Sequence, residues 1–142
     1  MNQELTTLLD GFSDVDGASP EAIAKVESVF NRELPDELRQ ILCKSNGISG
    51  VISNHELQIC STEEIIAYNQ ANSVQRYTPQ FLMFGSNGGG ETYTLDYRTT
   101  PPSVVLVAAI GFDYKSAISI GMDFMSFLHR LKNPRSLFDK AN

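Results

Sequence analysis

The segment from Phe84 to Tyr97 constrains the fold more than any other part of the sequence, because an apolar run, a glycine-rich turn and an alternating run follow one another directly. Glycine-rich turns occur where backbone N–H groups bind phosphate, and also where a hairpin requires positive φ angles. A Walker A loop needs a lysine followed by serine or threonine at the start of a helix. Here the turn Gly85–Gly90 is followed by Glu91 and a strand-like run. We therefore interpret the turn as a β-hairpin with Asn-Gly and Gly-Gly turn chemistry.

Hydrophobic patterning predicts the strands around this hairpin. Residues 81–84 and 104–110 are continuous apolar runs, which are typical of central strands covered on both faces. Residues 92–98 alternate instead, with Tyr93, Leu95 and Tyr97 on one face, so we expect a half-exposed strand there. Shorter strands are expected at residues 50–53, 56–60 and 117–120.

Capping residues predict the helices. Ser19 and Pro20 start a helix, a second follows from Leu34 to Leu42 and ends at Asn46-Gly47, and Asp123 caps a last helix with a clear apolar stripe. Ser61 and Glu64 can form a capping box for a middle helix, whose polar end at residues 69–72 is expected to be a long loop.

The order of these elements does not alternate regularly enough for a doubly wound α/β fold. It predicts a single α+β domain over residues 1–142, with a mainly antiparallel central sheet packed against N-terminal, middle and C-terminal helices. The length of 142 residues suits one domain.

Composition favours some partners over others. Seventeen acidic and eleven basic residues give a formal charge of −6, which argues against nucleic-acid binding and for a basic partner. The two cysteines, Cys43 and Cys60, are expected to be reduced core or strand residues, without a disulfide framework or zinc site. The sequence has neither a long apolar stretch nor the basic start of a signal peptide, so we expect a cytoplasmic protein without membrane contact.

Catalytic residues are sparse. His55 and His129, the two histidines, lie in a polar turn and off the apolar stripe of the last helix, and surface roles are expected for both. The carboxylates Glu91, Asp96 and Asp113 could serve as acid and base or as ligands of a hard metal ion. Glu91 and Asp96 would point to opposite faces of a regular strand, which weakens them as a single site. A small hydrolase or ligand-binding enzyme is therefore the alternative hypothesis, and no cofactor is predicted.

The tyrosines of the alternating run allow two interpretations. Their face could pack in the core, or it could form a patch for a protein partner, since tyrosine is favoured at interfaces. For the second case the predicted partner-binding residues are those of this strand and its surroundings: Glu91, Tyr93, Asp96, Tyr97 and Asp113.

Four pieces of the sequence form an ordered set: Leu34-Pro35-Asp36-Glu37-Leu38-Arg39 running to Asn46-Gly47, Leu57-Gln58-Ile59 with Ser61-Thr62-Glu63-Glu64-Ile65, the segment from Phe84 to Asp96, and Asp123-Phe124-Met125-Ser126-Phe127-Leu128. In this order they resemble the SUKH superfamily of bacterial immunity proteins and fungal regulators of cell-wall assembly. The chain departs from many members in having no tryptophan, in Glu91 after the glycines and in Asp123 at the helix cap.

The resemblance implies an α+β fold with a central sheet and no catalytic residues. For bacterial members it implies an immunity protein that binds and blocks a cognate toxin, often a nuclease or a deaminase. An acidic module could cover the basic cleft of such a toxin, and complementary charge would speed their encounter. The fungal members imply a further alternative, a housekeeping regulatory scaffold.

Overall fold

The computed structural model describes residues 1–139, which form an α+β fold with one antiparallel sheet. Its strands are β1 (Ile48–Ile52), β2 (His55–Ile59), β3 (Phe81–Ser86), β4 (Glu91–Asp96), β5 (Ser103–Ala108) and β6 (Ile118–Gly121). Its helices are α1 (Gln3–Leu8), α2 (Pro20–Phe30), α3 (Asp36–Lys44), α4 (Thr62–Ala71), α5 (Val74–Tyr77) and α6 (Phe124–Leu131). The predicted fold class is confirmed.

The six strands lie side by side in chain order, and every neighbouring pair is antiparallel. The glycine-rich turn joins β3 to β4, so its interpretation as a hairpin is confirmed. Gly88 and Gly90 have φ angles of 75° and 98°, in the region that glycine enters without steric cost. The Asn87 side chain stabilises this turn by accepting from the Gly89 N–H at 2.9 Å and donating to Glu91.

The inner face of the sheet carries the main core, against helices α2, α3 and α6. At its centre four rings, Phe84, Tyr93, Phe124 and Phe127, have centroids 4.9 to 6.5 Å apart. Such aromatic pairs contribute about 0.5 to 1.5 kcal/mol each beyond the area they bury. Asp123 starts α6 as predicted, since its carboxylate accepts from the Ser126 N–H at 2.8 Å and its pKa is lowered mainly by that hydrogen bond. The apolar stripe of α6 therefore faces the core.

The outer face of the sheet is only half covered. Over β3, β4 and β5 lies a layer formed by α5 and residues 109–117, which we call the cover. Phe112 and Tyr114 of the cover make edge-on contacts with the Phe81 ring, at centroid distances of 5.7 and 4.6 Å. Together with Val105 and Val107, these residues form a second, smaller apolar cluster. Over β1 and β2 no described element covers the outer face.

The cover overturns one prediction, because β4 is buried on both faces rather than half exposed. The outward side chains Thr92, Thr94 and Asp96 are polar, but each has a partner. Thr92 donates to the Val107 carbonyl at 3.0 Å and bonds the Thr94 hydroxyl, and Asp96 accepts from the Arg98 guanidinium at 2.8 Å. Paired polar groups tolerate burial that unpaired ones would not.

The end of the middle helix was also predicted wrongly. The polar residues 69–72 do not form a long loop, since α4 continues to Ala71 and α5 follows almost at once. Asn69 is 0% exposed, and its side-chain amide accepts from the Met83 N–H at 2.9 Å and donates to the Met83 carbonyl at 2.8 Å. Strand β2 pairs with β3 only near Ser86 and does not reach Met83. The Asn69 amide therefore makes the hydrogen bonds to the Met83 backbone that a neighbouring strand would otherwise make.

Smaller differences concern the first helices and a cysteine. Helix α1, capped by Asn2, was not predicted. Helix α3 ends at Lys44 because Ser45 adopts an extended conformation, just before the predicted stop at Asn46-Gly47. Cys43 is exposed on α3 rather than buried, which corrects its expected place, and both cysteines are free.

Candidate functional site

The uncovered half of the outer sheet face forms an open groove of about 590 Å³. Its floor consists of the outward side chains of β1, β2 and the end of β3, and its walls are α4 and the segment around Ser13. We call this feature the groove, and its defining residues are Ser13, Val15, Ser49, Gln58, Cys60, Glu64, Tyr68 and Ser86. A concave, mixed polar and apolar surface on a sheet is suited to binding a segment of another molecule.

Strand alternation produces the floor of the groove. Leu57 and Ile59 of β2 point into the core, so Gln58 between them points outward. On β1, Ser49 lies opposite Gln58, and on β3 Ser86 is its partner, so three small or polar side chains lie in one row across the strands. Ser13 closes the edge by donating its backbone N–H to the Ser49 carbonyl at 3.0 Å.

The wall formed by α4 depends on the predicted capping box, which is confirmed. The Ser61 hydroxyl accepts from the Glu64 N–H at 3.1 Å, and the Glu64 carboxylate accepts from the Ser61 N–H at 2.9 Å. One turn later, the Tyr68 hydroxyl donates to the other Glu64 oxygen at 3.3 Å. Glu64 is thus held in place from two sides while remaining exposed to the groove.

The electrostatics of the groove are acidic. Among the described residues that line it, Glu64 is the one with a charge, and none is a lysine, arginine or histidine. Burial, with a smaller contribution from the Glu64 carboxylate, raises the pKa of the Cys60 thiol to about 12. The same carboxylate is the main cause of a raised pKa at Tyr68. At neutral pH the thiol and the phenol are therefore both neutral donors beside a carboxylate.

The residues predicted to bind a partner lie elsewhere, around β4. Tyr93 is fully buried and donates its hydroxyl to the Glu56 carbonyl at 2.7 Å, and burial raises its pKa. Tyr97 is half-buried, donates to the Glu33 carbonyl at 2.6 Å, and likewise has a raised pKa because of burial. Both tyrosines face the helical layer rather than the groove.

The three predicted carboxylates do not share one set of partners. Glu91 is half-buried and accepts from the Asn87 amide, whereas Asp96 is 5% exposed and pairs with Arg98. Asp113 is exposed on the cover, where the Ser116 N–H lowers its pKa. Each carboxylate therefore has its own local role, which does not favour the hypothesis of an acid and base pair.

The histidines and the possible metal ligands lie apart from one another in the described part of the chain. Within residues 1–139, no cluster of three or more histidine, cysteine, aspartate or glutamate side chains is placed to hold a metal ion. His129 is exposed and lies 3.4 Å from Glu4, and the His55 ring bonds the Asn133 carbonyl at 2.8 Å, both at the surface as expected. None of the helices in this part of the chain is long and apolar enough to cross a bilayer.

Sequence reasoning missed the groove, although two of its signals were recognised. The alternation of β2 already placed Gln58 outward, and the capping box already placed Glu64 in the first turn of α4. What the sequence did not reveal is that α4 folds back beside β3, which brings the two signals onto one surface.

Comparison with known proteins identifies the family. A search of the curated proteins finds no match to this chain. The model of the SMI1 / KNR4 family (SUKH-1), in contrast, matches residues 17–130, which include every strand of the sheet and most of the groove. This match confirms the resemblance that the four sequence pieces indicated. The chain belongs to the SMI1 / KNR4 family, SUKH-1.

Proposed function

We propose that this protein is a non-enzymatic immunity protein that binds and neutralises a cognate toxin of nuclease or deaminase type in the cytoplasm. At the level of the family, membership supports a protein-interaction module of the immunity type. The observation that carries the finer proposal is the groove, a concave sheet surface whose lining, within residues 1–139, has a carboxylate and no basic residue.

Charge supports a basic partner. The formal charge of −6 attracts a protein whose active site is basic because it handles nucleic acid. Complementary charge of this kind mainly increases the rate of association. Because salt screens the charges, binding then weakens as the salt concentration rises. A toxin that is blocked in its nucleic-acid cleft fits these requirements.

The partner-binding residues predicted around β4 remain part of the proposal, although only some of them are accessible. Glu91, Tyr97 and Asp113 keep accessible atoms, whereas the side chains of Tyr93 and Asp96 are buried. Since Tyr97 faces the helical layer, the second candidate for the toxin contact is the cover around Asp113, and substitutions distinguish it from the groove.

The test is to purify the protein with the toxin candidate encoded by a neighbouring gene, then to measure binding by calorimetry and inhibition of the toxin's activity. Gln58→Lys places a positive charge on the groove floor and should weaken binding at least tenfold. Gln70→Lys, the same exchange at an exposed site of α4 outside the groove lining, is the matched control and should change binding less than twofold.

Asp113→Lys probes the other candidate surface in the same assay. A loss of binding in Asp113→Lys with none in Gln58→Lys would move the contact from the groove to the cover. Failure of the wild-type protein to bind or inhibit the toxin candidate would remove the immunity role.

A further inference from the structure

On the covered half of the sheet, one arginine lies between a carboxylate and aromatic rings. The Arg98 guanidinium donates to Asp96 at 2.8 Å, and its central carbon lies 4.7 Å from the centre of the Tyr114 ring and 5.2 Å from that of Phe81. The nearby carboxylate raises the pKa of Arg98, which is the expected effect of such a pair. A guanidinium suits this place because it is planar, stacks on rings and pairs with two carboxylate oxygens.

A second arginine uses an aromatic ring in a similar way. Arg32 lies 5.0 Å above the Tyr97 ring and donates to the Pro79 carbonyl at 3.3 Å. Arginine lies over a tyrosine ring at three positions of the described chain, since Arg76 also lies 5.4 Å from the centre of the Tyr77 ring. At Arg32 and Arg98 the guanidinium also has an oxygen acceptor.

The groove also contains a carboxylate beside a tyrosine, but the described residues of its lining lack the arginine that accompanies them on the covered half. Glu64 and Tyr68 are one helical turn apart and are joined by the 3.3 Å hydrogen bond. Among residues 1–139, no lysine, arginine or histidine forms an ion pair with Glu64. Tyr68 is 44% exposed, and no cation of the described residues lies over its ring as Arg32 and Arg98 do over Tyr97 and Tyr114.

The carboxylate in the groove is also preorganised for binding, because two hydrogen bonds fix its orientation. The capping box fixes Glu64 through the Ser61 N–H, and the Tyr68 hydroxyl fixes its other oxygen. A group that is already oriented loses less conformational entropy when a partner binds. The free lone pairs of both oxygens remain available, because a carboxylate accepts more than one hydrogen bond per oxygen.

We propose that an arginine side chain of a basic protein partner occupies the groove, where it pairs with Glu64 and stacks on Tyr68. This inference rests on the proposed function, since it names the chemistry with which the partner enters the same surface. The groove is larger than one side chain, so the neighbouring residues of the partner segment lie over Ser49 and Gln58.

Nuclear magnetic resonance titration of the full chain tests this directly. Three capped tripeptides, alanine-X-alanine with X as arginine, lysine or citrulline, are added at low salt to the ¹⁵N-labelled protein. Citrulline keeps the shape of arginine and lacks its charge. We expect saturable shifts at the amides of Ser49, Gln58 and Cys60, strongest with arginine, weaker with lysine and weakest with citrulline.

Variants locate the contact. Glu64→Gln keeps a capping-box acceptor and removes the charge, and Tyr68→Leu removes the ring; each should weaken arginine binding about three- to fivefold. Glu21→Gln removes an exposed carboxylate of α2 outside the groove lining and should leave the titration unchanged. Equal binding of the citrulline peptide, shifts spread over the whole acidic surface, or a Glu64→Gln variant that binds like wild type would overturn the proposal.

The outcome is separable from that of the toxin assay. A protein that neutralises the toxin but shows no selectivity for the arginine peptide contradicts the arginine inference alone. A protein that binds the arginine peptide in the groove but no toxin contradicts the immunity role alone.

Discussion

The two halves of the outer sheet face share one backbone architecture and differ in what lies on them. On the covered half, Phe81, Val105 and Val107 point outward and meet the rings of the cover. On the bare half, the outward residues of β1 and β2 include Ser49, Gln58 and the exposed Glu56, and no described element packs on them. The chemistry of the outward side chains thus decides which half the protein covers and which it leaves for a partner.

The largest expected effect concerns Asn69, which lies where the two halves meet. Asn69→Leu removes both hydrogen bonds to Met83 and leaves a buried N–H and carbonyl without partners, at a cost of about 1 to 3 kcal/mol per group. We expect the free energy of unfolding, measured with urea, to fall by about 2 to 6 kcal/mol.

Gln70→Leu is the control for this variant, because Gln70 is the exposed neighbour on the same helix. Its stability should stay within about 0.5 kcal/mol of wild type. An Asn69→Leu variant as stable as the control would show that β3 does not depend on this amide.

The next effect concerns the reactivity of Cys60 on the groove floor. A pKa of about 12, against the ordinary value of 9.0, leaves roughly a thousandfold less thiolate at pH 8. Since the thiolate is the nucleophile, iodoacetamide should label the exposed Cys43 well before Cys60.

The pH dependence of this labelling has a definite sign. Because the pKa is raised, the Cys60 thiolate fraction grows about tenfold per pH unit from pH 7 to pH 10, and its labelling rate should follow, as quantified by mass spectrometry of the peptides. Labelling of Cys60 as fast as Cys43 at pH 7 would mean that the groove floor is more open to water than the structure shows.

The smallest effect compares two tyrosines, one on each half. Tyr114→Ala removes the ring contacts with Phe81 and Arg98 and the acceptor of the Gln80 N–H, so we expect a loss of about 1 to 3 kcal/mol in urea unfolding. Tyr68→Ala, on the bare half, should leave the urea midpoint unchanged. Equal destabilisation by the two variants would contradict the distinction between a structural half and a binding half.

Much of the fold was predictable because its signals are local. The caps at Ser19, Ser61 and Asp123, the glycine turn and the continuous apolar runs each identify an element from a few neighbouring residues. The burial of β4 was not predictable in this way, because it depends on residues 109–117, which form no helix or strand of their own but place Phe112 and Tyr114 over Phe81.

The groove was unpredictable for a related reason. The roles of Asn69 and Glu64 depend on where β2 ends and on how α4 returns past β3, and neither is encoded in the spacing of α4 itself. For Tyr93 the alternating pattern allowed either an interface or the core, and in the structure its ring packs against Phe127 of α6.

The chain order of the strands has a consequence for how the protein is made. Each strand from β2 onward pairs with the strand that precedes it in the chain, so no strand has to be inserted between two that have already paired. Folds with short sequence separation between contacts fold faster, because less loop entropy is lost before contacts form. On the ribosome, the sheet can extend by one strand at a time, with α6 arriving last to close the core.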